Sequence, residues 1–368
     1  MAEPSPAGPP HVATNLENFI ATVEHRAPRQ ILYHAHYTPD LQRRLIEHIG
    51  TDDIAGHYGY AGAARVGLRK PDDWEPIDYA GYYADDELPE GTEFSGAGCA
   101  RIPSGFYHFW GYLSPLRNAT RIDEIEAYPL EDYSRWDRSH MAAEVEQAHA
   151  EGRSVHASVG HIYETSWQIR GYEEFLIDLI ERPGWAEAML DKLARQKWDL
   201  AIPAARAGVD CIHTGDDVAN QKSLMFRKNV WKRLIFSRWK RVWAEIKRIH
   251  PACRIFYHSD GNIIDVIPDL VDAGLDILNP LQPECLDVDR VHREFGHVLT
   301  FDGTIGTQST MPWGTPDEVR ARVREVIDKY GRDGGLIISP THVLEPEVPL
   351  ENIDAFFDAC REFGNLGA

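Results

Sequence analysis

Paired cysteines, basic charge and long apolar runs are what this chain lacks. Its 5 cysteines (Cys99, Cys211, Cys253, Cys285 and Cys360) are scattered and form no Cys-x-x-Cys pair, which excludes a disulfide scaffold or zinc knuckle. The first residues, Met1-Ala2-Glu3-Pro4-Ser5, lack the basic-then-apolar pattern of a secretory signal, and a reducing cytoplasm is the expected setting. Only 38 Lys and Arg stand against 58 Asp and Glu, a formal charge of -20, which repels phosphate backbones and argues against nucleic-acid binding. No apolar stretch approaches the roughly 20 residues that cross a bilayer, so no membrane partner is expected. Also missing are a Gly-rich dinucleotide turn, a Walker loop, GxSxG and HExxH, so nucleotide-dependent, serine-hydrolase and zincin chemistries receive no support.

What is present is an alternation. Residues 1–14 read as a disordered lead-in and 15–368 as one domain, in which 52–132, rich in aromatic, Gly and acidic residues, looks like an insertion or lid. Short strands are expected at Ile31–Tyr33, Ser154–Val159, Cys211–Ile212, Arg254–Tyr257, Asp276–Leu278, Val298–Phe301 and Leu336–Ile338, with helices between them. Gly208, Gly274 and Gly296 each follow an amphipathic run, as left-handed helix ends do. This order predicts parallel pairing by right-handed crossovers. The expected fold class is α/β, a single (β/α)8 TIM-type barrel, because polar residues follow nearly every strand.

Those polar residues mark the candidate site, since such barrels build their active sites at the C-terminal ends of the strands. His258 and Asp260 follow one strand, two residues apart, and His342 follows another. Imidazole and carboxylate together suit a divalent ion such as zinc and leave an open position for catalysis. Metal-free catalysis and helix capping are the competing readings. His213, Asp216 and Asp217 form a second set, in which Asp217 suits an acid–base role and Asp216 a helix cap. Gly160-His161-Ile162-Tyr163-Glu164 leads to Trp167, whose ring, like that of Tyr163, suits either a ligand wall or the core. His34, His36, Asn279, Asp302 and Gln308 also follow strands and are candidates for substrate contact.

Three stretches carry a resemblance: His258-Ser259-Asp260-Gly261, Asp276-Ile277-Leu278-Asn279-Pro280-Leu281-Gln282-Pro283, and Pro340-Thr341-His342-Val343-Leu344-Glu345-Pro346 followed by Pro349-Leu350-Glu351-Asn352-Ile353. From about Ser158 to Phe363 the chain resembles the uroporphyrinogen decarboxylase superfamily, which contains the decarboxylase of haem synthesis and methyltransferases that use corrinoid or thiol partners. The resemblance implies a single barrel, a small-molecule substrate and a homodimer. The decarboxylases hold a multiply carboxylated porphyrinogen with basic residues near the N-terminus, whereas here the first strand ends in Tyr33-His34-Ala35-His36. His342 falls where they place a histidine. The methyltransferases bind zinc through His-x-Cys and a later cysteine; here Asp260 and His342 take the two cysteine places, which implies a harder site that polarises oxygen or nitrogen.

The leading expectation is metal-assisted methyl transfer, a demethylation of a small, partly aromatic substrate with a corrinoid protein as partner. His258, Asp260 and His342 would hold the metal, with Asp217, His213, Tyr163 and Glu164 as catalytic groups. A metal-free carboxy-lyase, with His342 and Asp260 moving protons, is the alternative. A barrel that binds ligand without turnover is a third.

Overall fold

The structure is a computed structural model and describes residues 13–60, 62–103 and 110–367. Most of the expected lead-in, and Phe106 to Phe109 of the expected lid, lie outside the described residues. Strands β1 (Leu32–Tyr33) and β2 (Ala64–Arg65) come first, followed by β3 (Glu93–Phe94), β4 (Ala100–Pro103) and β5 (Trp110–Leu113). Then come β6 (Val155–His161), β7 (Cys211–Gly215), β8 (Arg254–His258), β9 (Ile277–Asn279), β10 (Thr300–Asp302) and β11 (Leu336–Ile338). Eight of them form one sheet in the order β1-β11-β10-β9-β8-β7-β6-β2, and every pairing in it is parallel. With helices between successive strands this is the (β/α)8 barrel, its ladder running from β1 round to β2.

All seven expected strands are present. The span 52–132 contributes β2 to the barrel as well as the antiparallel sheet β3–β4–β5. The helical stretch that leads into β7 is divided, Tyr172–Glu181 and Pro183–Ala207, because Pro183 lacks the amide that would continue the first helix and instead starts the second. Gly208 and Gly274 have the expected positive φ, 88° and 99°. Gly296 does not: its φ is -63°, and its N–H donates to the His292 carbonyl so that the chain stays right-handed. Among the described residues no helix is long and apolar enough to cross a membrane.

Side chains alternate along each strand. Val155, Ala157, Val159, Ile212, Ile255, Tyr257 and Leu278 face the helices and are buried there. His156, Ser158, His213, Phe256, His258, Asn279 and Asp302 face the barrel axis. The apolar core therefore lies between strands and helices, while the interior is polar. Its lower end is closed by Phe19 and Val23 of the helix Asn15–Val23, packed with Cys211, Phe256 and Ile277.

Candidate active site

Along the barrel axis runs a cavity of about 570 Å³, within the range of small-molecule sites. A bulge in β6 shapes its mouth, because the register with β7 shifts between Ser158 and Gly160. Gly160 takes the extra residue at φ 72°, a conformation that suits glycine. The bulge re-aims His161, whose Nδ1 lies 2.6 Å from Glu164 Oε1. Burial opposes the charged form of His161, but Glu164, with help from Asp216 and Asp217, outweighs it and raises the imidazole pKa to about 9.

The β7–β8 end carries the carboxylates. Asp216 is buried and accepts from Tyr163 N at 2.7 Å, Glu164 N at 3.1 Å and Trp239 Nε1 at 2.6 Å. Even so, burial pushes its carboxyl up to about 7. Asp217 turns the other way: its Oδ1 accepts from Asp260 N at 2.8 Å and lies 3.6 Å from His258 Nε2. His258 Nε2 is also 3.9 Å from Asp260 Oδ1, and His342 Nε2 is 3.9 Å from Asp260 Oδ2. The turn that delivers Asp260 depends on Gly261, at φ 85°, where a Cβ would stand 2.6 Å from the Asn220 carbonyl oxygen.

These residues fit a divalent ion. Asp217, His258 and Asp260 offer one donor atom each, all within 4.8 Å of one another. Asn279 orients the imidazole: its amide nitrogen donates to the Asp302 carbonyl at 3.3 Å, so its Oδ1 faces His258 Nδ1 at 2.6 Å. The proton is thereby placed on Nδ1 and the lone pair on Nε2, toward the carboxylates, as a metal-binding histidine requires. His342, the expected third ligand, meets Asp260 through Oδ2 at 3.9 Å, while Asp217 is the third donor within 4.8 Å of both His258 and Asp260.

Deeper in the barrel is a layer of imidazoles. His156 Nδ1 and His213 Nε2 are 2.9 Å apart, and the His213 ring stacks on Phe256 with centroids 4.1 Å apart. Burial lowers the pKa of His156 to about 3, with the Arg65 cation adding to it, and drives His213 down as well. A buried neutral histidine is protonated in the unfolded chain first, so the native state should lose stability as pH falls from about 6.5 toward 3. Urea midpoints measured across that window should fall steeply in the wild type and less steeply in His156→Gln; equal slopes would overturn the assignment.

The other expected site residues divide. His34, His36, Asn279 and Asp302 line the cavity, and Asp302 is held by Ser339 Oγ at 2.6 Å and His34 Nε2 at 3.3 Å. Tyr163 is fully buried against Phe175 and Phe226; its side chain packs the core while its backbone N–H serves Asp216. Trp167 packs edge-on to Tyr112 and Tyr172, joining the small sheet to the helix Tyr163–Arg170. Gln308 is exposed and bonded to Gln221. His213 is parted from Asp217 because it faces the interior one layer below. Arg65, His156 and His161 are the cavity residues that sequence reasoning missed. His161 stood in a noted loop, but nothing local signalled the bulge that aims it.

A family model described as uroporphyrinogen decarboxylase (URO-D) matches residues 141–363. Among curated proteins, the uroporphyrinogen decarboxylase of Pseudomonas fluorescens is 23% identical over 187 residues and that of Methylococcus capsulatus 22% over 193. The matched stretch is 50% of this chain and 50% and 51% of those proteins, so the chain spans about half the length of the curated relatives it matches. Among solved structures, a methyltransferase from Methanosarcina mazei aligns with a TM-score of 0.64 at 15% identity, covering 96% of this chain and 99% of that one. At that identity the likeness speaks for the fold.

Proposed function

The chain belongs to the uroporphyrinogen decarboxylase family, and from that premise we propose that it is a metal-assisted methyltransferase that demethylates a small, partly aromatic substrate. The observation that carries this reading is the donor set Asp217, His258 and Asp260, gathered within 4.8 Å beside the cavity mouth around an imidazole whose lone pair Asn279 orients. A divalent ion held there, zinc by the family resemblance, would polarise the oxygen that bears the methyl group. A corrinoid on a partner protein would accept the methyl group.

The chain's own residues supply the rest. His161, which lines the cavity and is held protonated by Glu164, can donate to the substrate oxygen as it loses the methyl group. Glu164 Oε1 also accepts from Asp217 N at 3.0 Å, so one carboxylate fixes the position of both the proton donor and the ligand loop. Phe256, Phe19 and Leu32 give the cavity an apolar wall that limits water around the reacting groups.

The second reading, a metal-free carboxy-lyase, is favoured by the 3.9 Å approach of His342 to Asp260, which suits proton transfer to a carbanion. The test is to supply methoxylated aromatic compounds and Co(I) corrinoid to the purified protein, following methyl–cobalt absorbance and carbon dioxide together. Methyl transfer without carbon dioxide is expected; carbon dioxide release without methyl loss would replace the first reading with the second.

A further inference from the structure

Arg65 is an exposed cation with no direct ion-pair partner among the described residues. It lies on β2, paired in register with His156, and borders both the main cavity and a side opening of about 500 Å³ that His156, Ser158 and His213 also line. Among the described residues it makes no hydrogen bond or ion pair. Its neighbours His156 and His213 carry no negative charge that could neutralise it. The interior carboxylate, Asp302, hydrogen-bonds His34 and Ser339 and acts on Arg65 only at a distance, without a direct contact. A guanidinium in a half-enclosed cavity gains much from an anion, and its planar fork matches a carboxylate with two parallel hydrogen bonds. The same charge disfavours a metal ion at His156 and His213, although their nitrogens and Cys211 Sγ lie within 4.8 Å of one another.

We propose that Arg65, with the free imidazole N–H of His156, forms a binding site for the carboxylate of a small planar organic acid. The acid's ring lies along the Phe256 side of the cavity and its reactive end points toward His258. His156 Nε2 is buried without a partner, so the tautomer in which His213 Nε2–H donates to His156 Nδ1 leaves one N–H beside Arg65 to be satisfied. Only the direction of the reactive end rests on the methyltransferase reading; the carboxylate site stands on Arg65 and the cavity.

The test measures binding, without turnover, of 4-fluorobenzoate and its neutral analogue 4-fluorobenzamide to the purified full-length protein by fluorine NMR. The wild type should prefer the acid by at least about tenfold, and Arg65→Gln should weaken acid binding by at least about tenfold while leaving the amide within about twofold. Arg65→Lys, which keeps the charge, should retain much of the preference and controls for folding. Equal binding of acid and amide to the wild type, acid binding unmoved in Arg65→Gln, or no acid binding at all would each overturn the proposal. Because no methyl acceptor is present, failure of the methyl-transfer assay leaves this result standing, and the reverse also holds.

Discussion

Replacing His258 with alanine is expected to lower the proposed methyl transfer by roughly a hundred- to a thousandfold, because a metal held there would contribute several kcal/mol to the transition state by polarising an oxygen. His258 is the single nitrogen donor in the set Asp217, His258 and Asp260. Without it two carboxylates remain, and these favour harder ions with weaker hold on geometry. Metal analysis of the purified protein should therefore fall in parallel with the rate. Asn279→Ala removes only the group that orients the imidazole and should cost about ten- to a hundredfold, as outer partners of metal ligands do. A wild type that is fully active without bound metal, or a His258→Ala protein with undiminished metal content, would remove His258 from the ligand set.

The largest expected effect on stability lies outside the cavity. Arg170 and Asp178 are 2% and 0% exposed, and Arg170 Nε donates to Asp178 Oδ2 at 2.8 Å. Arg170 also donates to the carbonyls of Leu116 and Arg117 at 2.6 and 3.1 Å, which fastens the segment after β5 to the helices beneath it. Asp178→Ala would leave that guanidinium buried without its counter-charge, at a cost of about 3–5 kcal/mol. That is a large part of the roughly 5–15 kcal/mol that holds a native domain together. Replacing both partners, as Arg170→Met with Asp178→Leu, should recover part of the loss, because the buried guanidinium goes with the carboxylate, while Arg182, which also pairs with Asp178 at 2.8 Å, is 38% exposed and can return to water. Urea unfolding of the three variants decides it. A loss below about 1 kcal/mol for Asp178→Ala would show that water reaches the site and the pair is not sealed.

Much of the site was legible because its residues are local to strand ends. His258, Asp260, Asn279 and Asp302 follow apolar strands, and in a parallel barrel that position alone brings them to one mouth. The residues that sequence reasoning misplaced are those whose role depends on burial or on register. Tyr163 sits in the same strand-end segment as the cavity residues, yet helix packing turns its phenol into the core, whereas Asp216, read as a helix cap, does accept from the first N–H groups of the helix Tyr163–Arg170. His342 and Asp217 both approach the His258–Asp260 pair, and linear spacing cannot say which of them stands closer to the imidazole.

By itself the sequence determined the alternation of strands and helices, the barrel class and the strands that carry chemistry. These follow from period-two and helical apolar patterns and from breakers, which act over a few residues. Only the tertiary structure decided that β2, two residues long, completes the sheet, since so short a strand has no periodicity of its own and is defined by the partner it pairs with. The same holds for the polar interior: His156, His213 and Arg65 line one opening because parallel register brings residues distant in the chain to neighbouring strands, and the lowered pKa values of the two imidazoles are a property of their burial there.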